Sequence, residues 1–129
     1  LIGGKTPVGP SAIAAPREGA ATPLALTSAE VDDMITKFGE GVRRAIKAGF
    51  DGVEIHGANT YLLQQFFSPH SNRRDDEWGG TLEKRFSFID KLVDEVTAVV
   101  DKSGAENLIK ISETINPTTP IIISAKSLL

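Results

Sequence analysis

Cysteine is absent from all 129 residues, which excludes disulfides, thiolate zinc sites, thiol nucleophiles and thiolate-held iron–sulfur clusters within this stretch. A reducing, cytoplasmic setting is compatible with that. Positive charge is not in excess: 14 Lys and Arg stand against 17 Asp and Glu, for a formal net charge of −3. That excludes the basic footprint of a nucleic-acid binder. No apolar run approaches the roughly 18 residues of a membrane span, and the N-terminus lacks the charged-then-apolar order of a signal peptide. What remains, 40% apolar and 24% charged, is the composition of a globular chain. It begins at Leu1 amid loop chemistry and stops at Leu129 just after an apolar run, so a segment of a larger domain is expected.

Four Gly and four Pro fall within residues 1–26. Gly is too free and Pro lacks the amide donor, so this stretch reads as an extended loop. Thr27 followed by Glu30 is a capping box, with Leu26 placed to staple onto Val31. Val31, Ile35, Phe38, Val42 and Ala45 then keep the spacing of one buried helix face, which Gly49 ends. Phe50 to His56 reads as a buried strand, with Val53 and Ile55 on one side. A long excursion over residues 57–80 contains a short helical piece between Tyr61 and Phe67. A second long helix starts near Thr81, its period carried by Leu82, Phe86, Ile89, Val93, Val96 and Val100, and ends at Gly104. Asn107 to Ser112 reads as another strand. The alternation predicts an α/β fold with a parallel sheet.

The densest chemistry is His56-Gly57-Ala58-Asn59-Thr60-Tyr61, at the C-terminal end of a predicted parallel strand, where α/β folds place ligands. An imidazole and an amide converging on a carbonyl oxygen stabilise the charge that develops there, and a phenol beside them can deliver a proton. The plainer alternative is that His56 ends the strand and Tyr61 packs with its hydroxyl satisfied. A metal site is a rival use of His56, His70, Asp75, Asp76 and Glu77. The two His lack the i, i+4 spacing of a helical zinc motif, and Arg73 and Arg74 interleave with the acids, so a loop held by ion pairs is favoured. Trp78 beside Gly79-Gly80 reads as a packing anchor for that loop.

Ala48-Gly49-Phe50-Asp51-Gly52-Val53-Glu54-Ile55-His56-Gly57-Ala58-Asn59, then Tyr61-Leu62-Leu63, Gln65-Phe66-Phe67-Ser68-Pro69, Ser71-Asn72-Arg73-Arg74, Asp76-Glu77-Trp78-Gly79-Gly80 and Leu82-Glu83-Lys84-Arg85, strongly resembles the Old Yellow Enzyme family of flavin-dependent NAD(P)H oxidoreductases. The resemblance runs from about residue 3 to residue 112. It implies an incomplete (β/α)8 TIM barrel, from around the third helix to the fifth strand: a loop over 1–26, barrel units over 27–112 and a divergent tail over 113–129. It also implies noncovalent FMN, NAD(P)H as reductant, a small-molecule acceptor such as an electron-poor alkene, and an oligomeric parent; no metal ligands are assigned within this stretch. By position, His56 and Asn59 bind the substrate oxygen and Tyr61 donates the proton. Lys110 stands where the family's flavin-contacting Arg is expected; it keeps the charge but loses the planar fork. Ser112-Glu113 replaces the usual Ser-Pro. About a third of the enzyme is represented, so the isolated polypeptide is expected to bind FMN weakly or not at all. The alternative function is a noncatalytic remnant or interaction module of the same fold.

Overall fold

The computed structural model describes residues 4–104 and the backbone of residues 108–112. The tail over 113–129 and the side chain of Lys110 lie outside the described residues. The first helix, α1 (Ser28–Lys47), begins where its capping box dictates. The Thr27 hydroxyl accepts from the Glu30 amide at 3.3 Å, and the Glu30 carboxylate accepts from the Thr27 amide at 2.8 Å. The bond from the Thr27 amide, with the Thr27 hydroxyl donating to the same carboxylate at 2.9 Å, holds the Glu30 carboxyl below its usual range. Val31, Ile35 and Val42 are buried as their spacing predicts, while Phe38 and Ala45 are half-buried at the stripe's margin. Within the segment read as loop, two short strands, β1 (Val8–Gly9) and β2 (Leu24–Ala25), pair in parallel. They close the loop over the start of α1, because buried Leu26 follows β2 directly.

After α1 the chain turns through Gly49, at φ +84°, into β3 (Gly52–His56). The helices α2 (Leu62–Phe67) and α3 (Leu82–Ser103) follow, and then β4 (Leu108–Ser112). Strands β3 and β4 pair in parallel from Gly52 opposite Leu108 to His56 opposite Ser112, so their C-terminal ends are flush. This is one βαβ unit with an additional preceding helix. Alternation along β3 sends Ile55, 4% exposed, into the helix-facing core, and sends Glu54 and His56 to the open face.

The core lies between α1, α2, α3 and the helix-facing side of β3. Its centre is Phe66 of α2 stacked on Phe88 of α3, ring centroids 4.1 Å apart. Here the structure corrects only the N-terminal part of the expected face of α3: Val96 and Val100 are buried, and Ile89 and Val93 pack half-buried, as expected. Phe88, Leu92, Val96, Val99 and Val100 are the buried set, whereas Leu82 and Phe86 are exposed. Apolar residues cover more than one stripe of this helix, and periodicity alone cannot say which stripe meets its neighbours. Phe86 instead sets its edge against Phe67, 6.2 Å away. Truncating the central ring should be costly: Phe88→Ala is expected to lower unfolding stability by about 3–5 kcal/mol in urea denaturation, and Phe86→Ala by much less.

Candidate active site at the end of β3

His56 is the last residue of β3, and its imidazole is exposed at the strand's C-terminal end. The chain must then reverse into α2 within five residues, Gly57 to Tyr61. It does so through two successive left-handed residues, Asn59 at φ 54° and Thr60 at φ 63°. Asn accepts that region readily, whereas a β-branched Thr there costs on the order of 1–2 kcal/mol. The cost is offset locally. The Thr60 amide donates to Gln64 Oε1 at 2.5 Å, and the Thr60 carbonyl accepts from Gln65 Nε2 at 2.6 Å. Tyr61, whose amide donates to the Ala58 carbonyl at 3.1 Å, takes the N-cap position of α2 without using its side chain for capping.

The reversal returns the Tyr61 ring to His56, with centroids 4.9 Å apart and planes tilted by 55°. Tyr61 is 59% exposed rather than packed in the core. The structure therefore brings His56 and Tyr61 together, with Asn59 in the turn that joins them. Lys110 is placed only by register: it lies opposite Glu54, two positions before the strand ends. Among the described residues, no three His, Asp or Glu side chains come together to hold a metal. The donor set is an imidazole, an amide and a phenol, suited to gripping an oxygen. Beside it, Glu54 and His56 are exposed on the same face of β3. The residues present thus fit a flavin-and-substrate pair on its substrate side.

Behind the turn, the polar run Ser71 to Glu77 is a lock. Arg74 donates through Nη1 to the Pro10 carbonyl at 3.1 Å and to the Leu26 carbonyl, and through Nη2 to Asp76 at 2.5 Å. Asp76 also accepts from Ser28 Oγ at 3.0 Å and from the Trp78 amide at 3.1 Å. Buried Asn72 donates to the carbonyls of Phe66 and Trp78 at 2.7 and 2.8 Å. Trp78 is buried, as a packing anchor should be, with Lys91 Nζ 4.4 Å from its ring centroid. Gly79 passes so near Arg74 that an added Cβ would sit 2.5 Å from the Arg74 carbonyl oxygen. The ion-paired loop is legible in the sequence. Its tie to Pro10 and Leu26, distant in the chain, is not. Nor does the sequence reading single out Gln64 and Gln65; the available signal is a pair of amides inside an otherwise apolar six-residue helix.

The sequence profile of the NADH:flavin oxidoreductase / NADH oxidase family matches residues 3–122, which carries the match past Ser112. An NADH:fumarate oxidoreductase from Klebsiella pneumoniae is 74% identical over 88 residues, 68% of this chain and 10% of that protein. An NADH:acrylate oxidoreductase from Vibrio harveyi is 63% identical over 86 residues, 67% of this chain and 9% of that protein. The solved Old Yellow Enzyme homologue from Zymomonas mobilis superposes with a TM-score of 0.72 at 34% identity, over 84% of this chain and 32% of that one. The chain thus spans about a tenth of the first two relatives and about a third of the solved one.

The lock has a pH signature. Hydrogen bonding from Arg74, aided by the Trp78 amide and Ser28, outweighs burial and draws the Asp76 carboxyl from 3.8 down to about 2. A carboxyl depressed on folding contributes stability that is complete above its unfolded value and is lost as pH falls through the folded one. Unfolding stability should therefore decline between about pH 5 and about pH 2. Asp76→Asn should flatten that decline and cost about 2 kcal/mol at neutral pH, the scale of lost hydrogen bonds to a charged group.

Proposed function

This chain belongs to the NADH:flavin oxidoreductase / NADH oxidase family and is a segment of its Old Yellow Enzyme-type barrel; from that premise we propose that the protein it forms part of is an FMN-dependent NAD(P)H oxidoreductase that reduces activated alkenes. The observation that carries this reading is the His56–Tyr61 pair at the C-terminal end of β3, 4.9 Å apart and joined by the turn that holds Asn59. When bound, FMN supplies the hydride that NAD(P)H provides. Lys110, at the register position beside this strand end, would hold the cofactor as a cationic partner.

The chain's own residues do the rest. His56 and Asn59 donate hydrogen bonds to an oxygen conjugated with the alkene. As hydride arrives at the β-carbon, negative charge moves onto that oxygen, and two preoriented donors stabilise it better than mobile water can. The Tyr61 phenol gives its proton to the α-carbon, completing reduction of the double bond. Fumarate and acrylate, the compounds named for two relatives, are both α,β-unsaturated carboxylates. Their shared chemistry supports an acceptor with an alkene next to a carbonyl or carboxylate.

Half-reactions of the flavin-loaded, full-length protein test the assignment. Tyr61→Phe should slow reduction of an unsaturated acid or enone by about 10²-fold or more, while flavin reduction by NAD(P)H stays within a few-fold. Removing one oxygen-binding donor, in His56→Ala or Asn59→Ala, should cost about 10²–10³-fold. An unchanged alkene rate in folded, flavin-loaded Tyr61→Phe would overturn the proton-donor role.

A further inference from the structure

Among the described residues, the non-glycine positions with positive φ are Asn59 and Thr60, and they adjoin each other between two of the three groups of the site. Thr is a poor occupant of that region, because its branched Cβ crowds the backbone. Left to its own preference, Thr60 would return to negative φ and swing the following residue, Tyr61, away from His56. Something must hold it.

Two consecutive carboxamides from α2 do so, one at each end of the residue. Gln64 Oε1 receives the Thr60 amide at 2.5 Å, and Gln65 Nε2 donates to the Thr60 carbonyl at 2.6 Å. The same residue's hydroxyl donates to the Asn59 carbonyl at 2.6 Å. The clamp has firm footing: Leu63 and Phe66, which flank the two amides in α2, are 1% and 0% exposed in the core. Gln65 is seated further. Its carbonyl accepts from Ser71 Oγ at 2.8 Å, and its side-chain oxygen lies against buried Gly9 of β1, where an added Cβ would meet it at 3.4 Å.

We infer that Gln64 and Gln65 are positioning residues for the reaction, a paired-amide clamp that fixes Thr60 in the left-handed region and so aims Asn59 and Tyr61 at the substrate oxygen and α-carbon. The inference rests on the functional reading above. The two amides act with opposite polarity, Gln64 as acceptor and Gln65 as donor, which makes the clamp chemically specific. Glu in place of Gln64 keeps the acceptor. Glu in place of Gln65 loses the donor and sets a carboxylate against a carbonyl.

The test uses the flavin-loaded, full-length protein with Gln64→Ala, Gln65→Ala, Gln64→Glu, Gln65→Glu and, alongside them, Tyr61→Phe. Amide hydrogen exchange at Thr60 and Tyr61 reads the clamp directly; kcat for alkene reduction reads its consequence. Both Ala variants should speed exchange at those amides and lower kcat by about 10- to 100-fold, the penalty of a slightly misplaced group, with flavin content and thermal midpoint close to wild type. Gln64→Glu should recover most of what Gln64→Ala loses, and Gln65→Glu should not recover what Gln65→Ala loses. Equal recovery by both Glu variants, or faster exchange with unchanged kcat, would overturn the inference. If Tyr61→Phe slows turnover while the Gln variants do not, the clamp alone fails. If Tyr61→Phe also leaves turnover unchanged, the functional reading fails and takes the clamp's role with it.

Discussion

One guanidinium holds three separate stretches of this chain in one place. Arg74 reaches the carbonyls of Pro10 and Leu26 and pairs with Asp76, which in turn ties down Ser28 and the Trp78 amide. These partners sit in the early loop, at the entry to α1 and in the approach to α3. A planar fork with several donors can satisfy such scattered acceptors together, where a Lys ammonium presents only a point charge. With its side chain largely buried, this cation needs its anion and its carbonyls. Asn72 extends the same logic by joining the end of α2 to Trp78.

That lock matters for chemistry because it fixes the rear of a loop whose front is the candidate site. From His56 to Gly80 the chain makes a single excursion, with the candidate-site groups on its outgoing limb and Arg74, Asp76 and Trp78 on its return. Between them lies α2, only six residues long. A helix this short has little stability of its own; it is held by Leu63 and Phe66 in the core and by the return limb. Catalytic geometry placed on a loop requires such support, since a reacting group displaced by an ångström loses most of its advantage.

The partial barrel explains several features that would be odd in a closed one. The β3 face bearing Glu54 and His56 is open, and Leu82, Phe86 and Phe67 stand exposed beside α2 and α3. In a (β/α)8 architecture the inner strand face and the helix flanks meet neighbouring units. Family membership and the short span of each relative covered agree with that picture.

Local chemistry made much of this legible in the amino-acid order. Thr27 with Glu30, Gly49, Thr81 and Gly104 mark helix ends because capping acts between neighbours a few residues apart. The strand-end motif His56-Gly57-Ala58-Asn59-Thr60-Tyr61 announces polar chemistry for the same reason. Which stripe of α3 is buried, which carbonyls Arg74 reaches and how Thr60 is kept in an unfavourable conformation were decided only by tertiary structure. The first two depend on groups far apart in the chain that only the packed core brings together, and the third on a backbone angle that residue type alone would not choose.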